Sequence, residues 1–145
     1  MKRILVLHTG GTIAMQEDSL TKKVAPGASN PLLSAPITVP EDVELVVEDI
    51  FNLPSPHITP QEMLQLKERI QLAKLAGFTG IVITHGTDTL EETAFFLDTT
   101  IGNLMPIVIT GAMRSSNELG SDGLYNFESA IRVAACPEEI GRAHV

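Results

Sequence analysis

The stretch Gly80–Thr84 and the five residues after it read GIVITHGTDT. A short aliphatic run rich in β-branched residues, with no polar alternation, describes a strand buried on both faces. The His-Gly-Thr-Asp that follows is turn chemistry, and it opens a helix expected over residues 89–99. The same grammar recurs on either side. Residues 2–7 form a buried-type strand that runs into Thr9-Gly10-Gly11-Thr12, and residues 106–110 (PIVIT) form another that runs into Gly111. Residues 43–50 mix β-branched with acidic residues and read as a further strand. Thr59-Pro60-Gln61-Glu62 combines capping-box spacing with proline at the first helical position. Met63, Leu66, Ile70 and Ala73 follow at helical spacing as far as Gly77. A last helix is expected over residues 123–135, with Leu124, Phe127, Ile131 and Ala135 on one face and Pro137 closing it. Strands that alternate with helices pair in parallel through right-handed crossovers, so the expected fold is α/β, an open, mainly parallel sheet with helices on both faces. Residues 15–40 lack a sustained period and read as a long loop, with one short helix around residues 32–34.

Composition narrows the function. The 145 residues suit a single domain of about 150 residues, and 43% hydrophobic content supplies a core. Ten basic against eighteen acidic residues give a net charge of −8, with no dense Lys/Arg cluster to neutralise phosphates. Nucleic acid and anionic membranes are therefore excluded as expected partners. The apolar runs at residues 4–7 and 80–84 fall far short of the roughly 20 residues of a membrane span, and the first is too short for a signal peptide. A soluble, cytoplasmic protein is expected. The single cysteine, Cys136, has no partner for a disulfide or a zinc site, so redox and structural-metal readings drop out. At residues 141–145 the loop after the last helix would deliver the next strand, and the reading expects the sheet to be cut short there.

Three strands finish in Thr-Gly or Thr-His-Gly, and in an open parallel sheet such turns meet at the carboxyl edge, where ligands bind. One shared pocket is expected. Glycines there admit close backbone approach, and N–H groups starting the next segments can bind an anionic group or a developing oxyanion. Thr12 and Thr87 are candidate nucleophiles or donors, and Asp88 is placed to fix a substrate amine or orient a base. Asp88 or Thr89 equally suits a helix cap, and His85 suits a turn-bonding structural residue better than a general base. Arg114 reads as a carboxylate ligand or a loop anchor, and Cys136 as a small packing residue. Neither the Walker nor the dinucleotide glycine spacing follows these strands, which disfavours nucleotides.

Thr9-Gly10-Gly11-Thr12-Ile13-Ala14 and His85-Gly86-Thr87-Asp88-Thr89 resemble the two signature segments of bacterial-type L-asparaginases and glutaminase-asparaginases. Gly111-Ala112-Met113-Arg114 with Ser121-Asp122-Gly123 resembles a third shared segment, and the likeness covers about residues 2–135. The resemblance implies hydrolysis of L-asparagine, with L-glutamine as second candidate substrate, to the acid and ammonia through a threonine, without metal or cofactor. It implies Thr12 as the nucleophile that forms the acyl-enzyme, Thr87 as the second active-site threonine and Asp88 as the grip on the substrate α-amino group. Ser55, in Asn52-Leu53-Pro54-Ser55, matches the serine that binds the substrate carboxylate, and Gly11 and Ala112 match substrate-lining positions. Two features depart from the family pattern. Val24 and Ala25 stand in the region where members carry a loop tyrosine, while Tyr125, the single tyrosine, lies in the last helix and reads as packing. Pro56 follows Ser55 where some members have a polar residue.

The family's catalytic lysine lies on a strand past the last helix, and Lys2, Lys22, Lys23, Lys67 and Lys74 match neither its motif nor its position. Residues 1–145 thus read as one domain, most of the family's N-terminal domain, without its smaller C-terminal domain. Full-length members of the resembled family are expected to be homo-oligomers. The chain alone is expected to be nearly inactive, and to associate through an unpaired sheet edge. Two other readings share these motifs. One is a non-catalytic aspartate/asparagine-binding module; the other is the asparaginase-like subunit of Glu-tRNA(Gln) amidotransferase, whose extra N-terminal domain finds no room before Thr9.

Overall fold

The structure is a computed structural model that describes residues 1–17, 19–26, 32 and 35–139. Four strands, β1 (Lys2–His8), β4 (Val43–Asp49), β5 (Gly80–Thr84) and β6 (Ile107–Thr110), form one parallel sheet in the order β4-β1-β5-β6. Their last rung sets Asp49, His8, Thr84 and Thr110 side by side, through the pairings His8 with Asp49, His8 with Thr84 and Thr84 with Thr110. All the turns of interest therefore leave the sheet along one line.

Alternation along β1 divides the core into two layers. Ile4 and Val6 pack with Val82 against Phe127, Ala130, Ile131 and Ala134 of α3 (Gly123–Ala134). Leu5 and Leu7 pack with Ile81 and Ile83 against Leu66, Ile70 and Ala73 of α1 (Pro60–Leu75) and Leu97 of α2 (Leu90–Ile101). Helices thus cover both faces, and β1 and β5, being central, are wholly buried where they run through the core. The start of α1 follows the capping chemistry: the Thr59 N–H donates to Glu62 Oε2 at 2.8 Å, and Pro60 takes a position that needs no N–H.

Three expectations are corrected. The segment read as a long loop carries a two-stranded antiparallel ribbon, β2 (Met15–Glu17) with β3 (Val24–Pro26), pairing Met15 with Pro26 and Glu17 with Val24. Strands of three residues are too short to display a period, which is why the pattern hid them. Tyr125 is not packed: it is 76% exposed on the outer side of α3, whose buried stripe is Phe127, Ala130, Ile131 and Ala134. Cys136 is exposed just past the end of α3, its thiol directed at Arg132 O. Of the short helix expected at residues 32–34, Leu32 is described and buried, while residues 33 and 34 lie outside the described residues, as do residues 141–145. Among the described residues no helix is long and apolar enough to cross a membrane.

Candidate active site

The turns at the carboxyl edge interlock through residues that have no side chain. Gly11 holds φ 81° and ψ −178°, a conformation essentially confined to glycine. A Cβ added to it would stand 2.4 Å from both Cα and N of Gly86. The first and second turns therefore touch backbone to backbone, one residue before Thr12 and one before Thr87. A Cβ on Gly86 would meet Ser55 Cβ at 2.6 Å and Oγ at 2.8 Å, and one on Gly111 would meet His85 O at 2.6 Å and Thr87 Cγ2 at 3.2 Å. Main-chain bonds stitch the same segments: Thr9 N–H to Thr84 O (3.0 Å), Leu53 N–H to Thr9 O (2.9 Å) and His85 N–H to Thr110 O (2.8 Å).

Thr12 opens a short 3₁₀ turn, Thr12–Ala14, and is half-buried, while Thr87 and Asp88 are exposed at the start of the segment leading into α2. Ser55 is buried, with 3% exposure. Its Oγ accepts from the N–H groups of Asp88 (3.1 Å) and Thr89 (3.3 Å), and its own proton is left to donate. The Thr89 hydroxyl returns a bond to Ser55 O at 2.7 Å. Ser55 thus holds the two residues that lead into α2, and neither the Asp88 nor the Thr89 side chain caps the helix. Local sequence reading looks for partners next to the helix and cannot see an acceptor that tertiary folding delivers from 33 residues away.

Both histidines of these turns are buried and held neutral. His85 lies between Gly86 O, 2.7 Å from Nδ1, and Thr93 Oγ1, 2.8 Å from Nε2. Burial lowers its pKa, against opposing pulls from the Gly86 carbonyl and Glu92. With both ring nitrogens engaged, His85 is a turn-bonding residue and not a base. His8 escaped the sequence reading, because a polar residue at the end of a strand carries no distinctive signal. Its Nδ1 lies 2.6 Å from Thr84 Oγ1 and its ring packs on Phe127, with centroids 5.6 Å apart. Nε2 has no partner among the described residues, and burial pushes the pKa down to about 4, with Asp49 pulling weakly upward.

The third turn is clamped by two residues at the start of α3, Asp122 and Asn126, of which only Asp122 belongs to a sequence motif. The Asp122 carboxylate accepts from the N–H groups of Met113 and Arg114, each at 3.1 Å, and Asn126 Nδ2 donates to Gly111 O at 2.9 Å. Burial raises the Asp122 pKa, but the donors on its carboxylate outweigh it and the net shift is downward. Arg114 resolves as a loop anchor: its Nη1 donates to Leu119 O at 2.8 Å. A cleft of about 220 Å³ opens here, lined by Thr87, Gly111, Ala112, Met113, Asp122 and Asn126 among others. The second and third turns share it; Thr12, Ser55 and Asp88 lie outside its lining.

A parallel sheet covered on both faces, with two threonine turns adjoining at its strand ends and a small cleft beside the second of them, is the architecture of an α/β domain that binds small ligands at its carboxyl edge. The chain belongs to the asparaginase family: the model of the family's N-terminal region, "Asparaginase, N-terminal", matches residues 3–145. An L-asparaginase of Bacillus licheniformis is 41% identical over 145 residues, which cover 99% of this chain and 45% of that protein. A glutaminase-asparaginase of Acinetobacter glutaminasificans is 36% identical, over 93% of this chain and 42% of its own length. Among solved structures, a probable cytoplasmic L-asparaginase from Campylobacter jejuni superposes with a TM-score of 0.80 at 35% identity, over 97% of this chain and 42% of that one. The chain thus spans less than half the length of these relatives.

Proposed function

We propose that these residues form the nucleophile-bearing part of an amidohydrolase site that converts L-asparagine to L-aspartate and ammonia. The contact of Gly11 with Gly86 carries the reading, because it sets the turns of Thr12 and Thr87 against each other at the carboxyl edge of β1 and β5. In this mechanism the Thr12 Oγ attacks the side-chain amide carbon, ammonia leaves, and water hydrolyses the resulting aspartyl ester. The Thr87 N–H, without a protein partner among the described residues, suits a donor to the developing oxyanion. Asp88, exposed beside it, suits the substrate ammonium. Ser55 suits the substrate carboxylate through its free proton, and Gly11 and Ala112 suit positions along the substrate.

The relatives named glutaminase-asparaginase support L-glutamine as a second substrate. The proposal extends to a cytoplasmic, homo-oligomeric whole protein in which residues 1–145 are one domain, and in which the lysine that takes the Thr12 proton comes from outside them. General acid–base help is worth about 10²–10⁴-fold, so slow turnover is expected of residues 1–145 alone. The test uses an L-aspartate β-ester whose leaving group departs without acid assistance. Mass mapping is predicted to find an aspartyl ester on Thr12, absent after Thr12→Ala. No adduct, or an adduct elsewhere that survives Thr12→Ala, overturns the assignment.

A further inference from the structure

Thr87 is flanked by two peptide planes, and each is held by a buried side chain from a different element. The plane between Thr87 and Asp88 is held by Ser55, which accepts the Asp88 N–H at 3.1 Å. The plane between Gly86 and Thr87 is held by His85, whose Nδ1 lies 2.7 Å from Gly86 O. A carbonyl oxygen only accepts, so Nδ1 carries the ring proton. In a neutral ring Nε2 is then an acceptor, and the group facing it at 2.8 Å, the Thr93 hydroxyl, must donate. Thr93 and His85 both have 0% exposure, so neither bond exchanges with solvent. The direction of the whole chain is fixed: Thr93 O–H to His85 Nε2, then His85 Nδ1–H to Gly86 O.

We infer that Thr93 and His85 are positioning residues for Thr87, a relay from inside α2 that fixes the peptide presenting the Thr87 N–H and side chain to the cleft. The alternative tautomer would point an N–H at Thr93 and leave the Gly86 carbonyl facing a lone pair. No other hydrogen bond among the described residues holds that carbonyl, so loss of the relay frees the peptide to rotate while Ser55 still grips the next one. The orienting hydroxyl comes from the buried side of α2, where Thr93 packs beside Leu97 rather than toward the cleft. The functional weight of the inference rests on the proposed role of Thr87, but the positioning itself does not.

The test is made on the ¹⁵N-labelled 145-residue chain. Ring ¹⁵N signals of His85 are predicted to show a protonated Nδ1 and an unprotonated Nε2. In Thr93→Val, backbone order parameters at Gly86, Thr87 and Asp88 are predicted to fall from about 0.85 to below about 0.6, with β1 and α1 unchanged, and Thr93→Ser is predicted to restore them. His85→Asn, whose side-chain amide offers N–H where Nδ1 stood, is predicted to keep the turn ordered, whereas His85→Leu is predicted to loosen it. Two results overturn the inference: an Nε2-protonated ring in the parent chain, or rigid Gly86–Asp88 amides in both Thr93→Val and His85→Leu. If L-aspartate then fails to bind a chain whose relay behaves as predicted, the proposed function fails and the positioning stands.

Discussion

Gly11→Ala tests the interlock of the two threonine turns. Two costs arise, and the structure separates them. The backbone cost comes from φ 81° and ψ −178°, a region that charges a residue with a side chain about 1–3 kcal/mol. The steric cost comes from a Cβ 2.4 Å from Cα and N of Gly86 and 3.0 Å from C of His85, all main-chain atoms at the end of a central strand. Overpacking of this kind costs about 1–3 kcal/mol when neighbours yield. The sum, about 2–6 kcal/mol, is a large part of the roughly 5–15 kcal/mol that holds a domain folded. With a urea slope of about 2 kcal/mol/M, the unfolding midpoint is predicted to fall by about 1–3 M. Gly102→Ala is the control, because Gly102 has φ 66° and ψ −146° with nothing within 4 Å of an added Cβ. It meets the backbone cost alone. Equal midpoint shifts for the two variants would refute the steric contact between the turns, and with it the argument that joins Thr12 to Thr87.

Three further outcomes follow from the same geometry. Ser55→Ala leaves the Asp88 and Thr89 N–H groups without their acceptor, and is predicted to cost about 0.5–1.5 kcal/mol for each hydrogen bond lost, with faster exchange at both amides. Asp122→Ala removes the acceptor for Met113 and Arg114 and the residue at the N-cap of α3, and is predicted to cost a similar amount and to speed exchange at both amides. His8 titrates near 4 when folded and near 6.5 when unfolded, so between these values the unfolded chain binds more protons. Its contribution is complete above pH 6.5 and is lost as pH falls towards 4, by about 3 kcal/mol in all. His8→Leu is predicted to flatten that part of the stability–pH curve, and an unchanged slope would remove His8 as its source.

The strands were legible because GIVIT and PIVIT carry no alternation, although only the first is buried and β6, at the edge of the described sheet, is half-buried; the α1 boundary was legible because Thr59, Pro60 and Glu62 are local signals. The two-sided helix cover followed from strand–helix alternation alone. What escaped depends on contacts distant in sequence. Ser55 Oγ accepts N–H groups 33 and 34 residues away, and the Thr93 hydroxyl meets the His85 ring from within α2. The Leu124 and Tyr125 side of α3 looked like core in sequence, yet Tyr125 is exposed, since one buried stripe suffices to cover the sheet. Motif reading points to Thr12, Thr87, Asp88 and Ala112, but the interlock between the first two turns is a matter of tenths of ångströms between glycines, which no sequence pattern encodes.

Titration of L-aspartate into the ¹⁵N-labelled chain tests the central claim most directly, because it asks whether turns from separate strands make one ligand site. The account predicts saturable shifts in the amides of Gly11, Thr12, Ser55, Thr87, Asp88 and Ala112, lost together in Gly11→Ala. Absence of saturable shifts, or shifts confined to residues away from the carboxyl edge of the sheet, would contradict it.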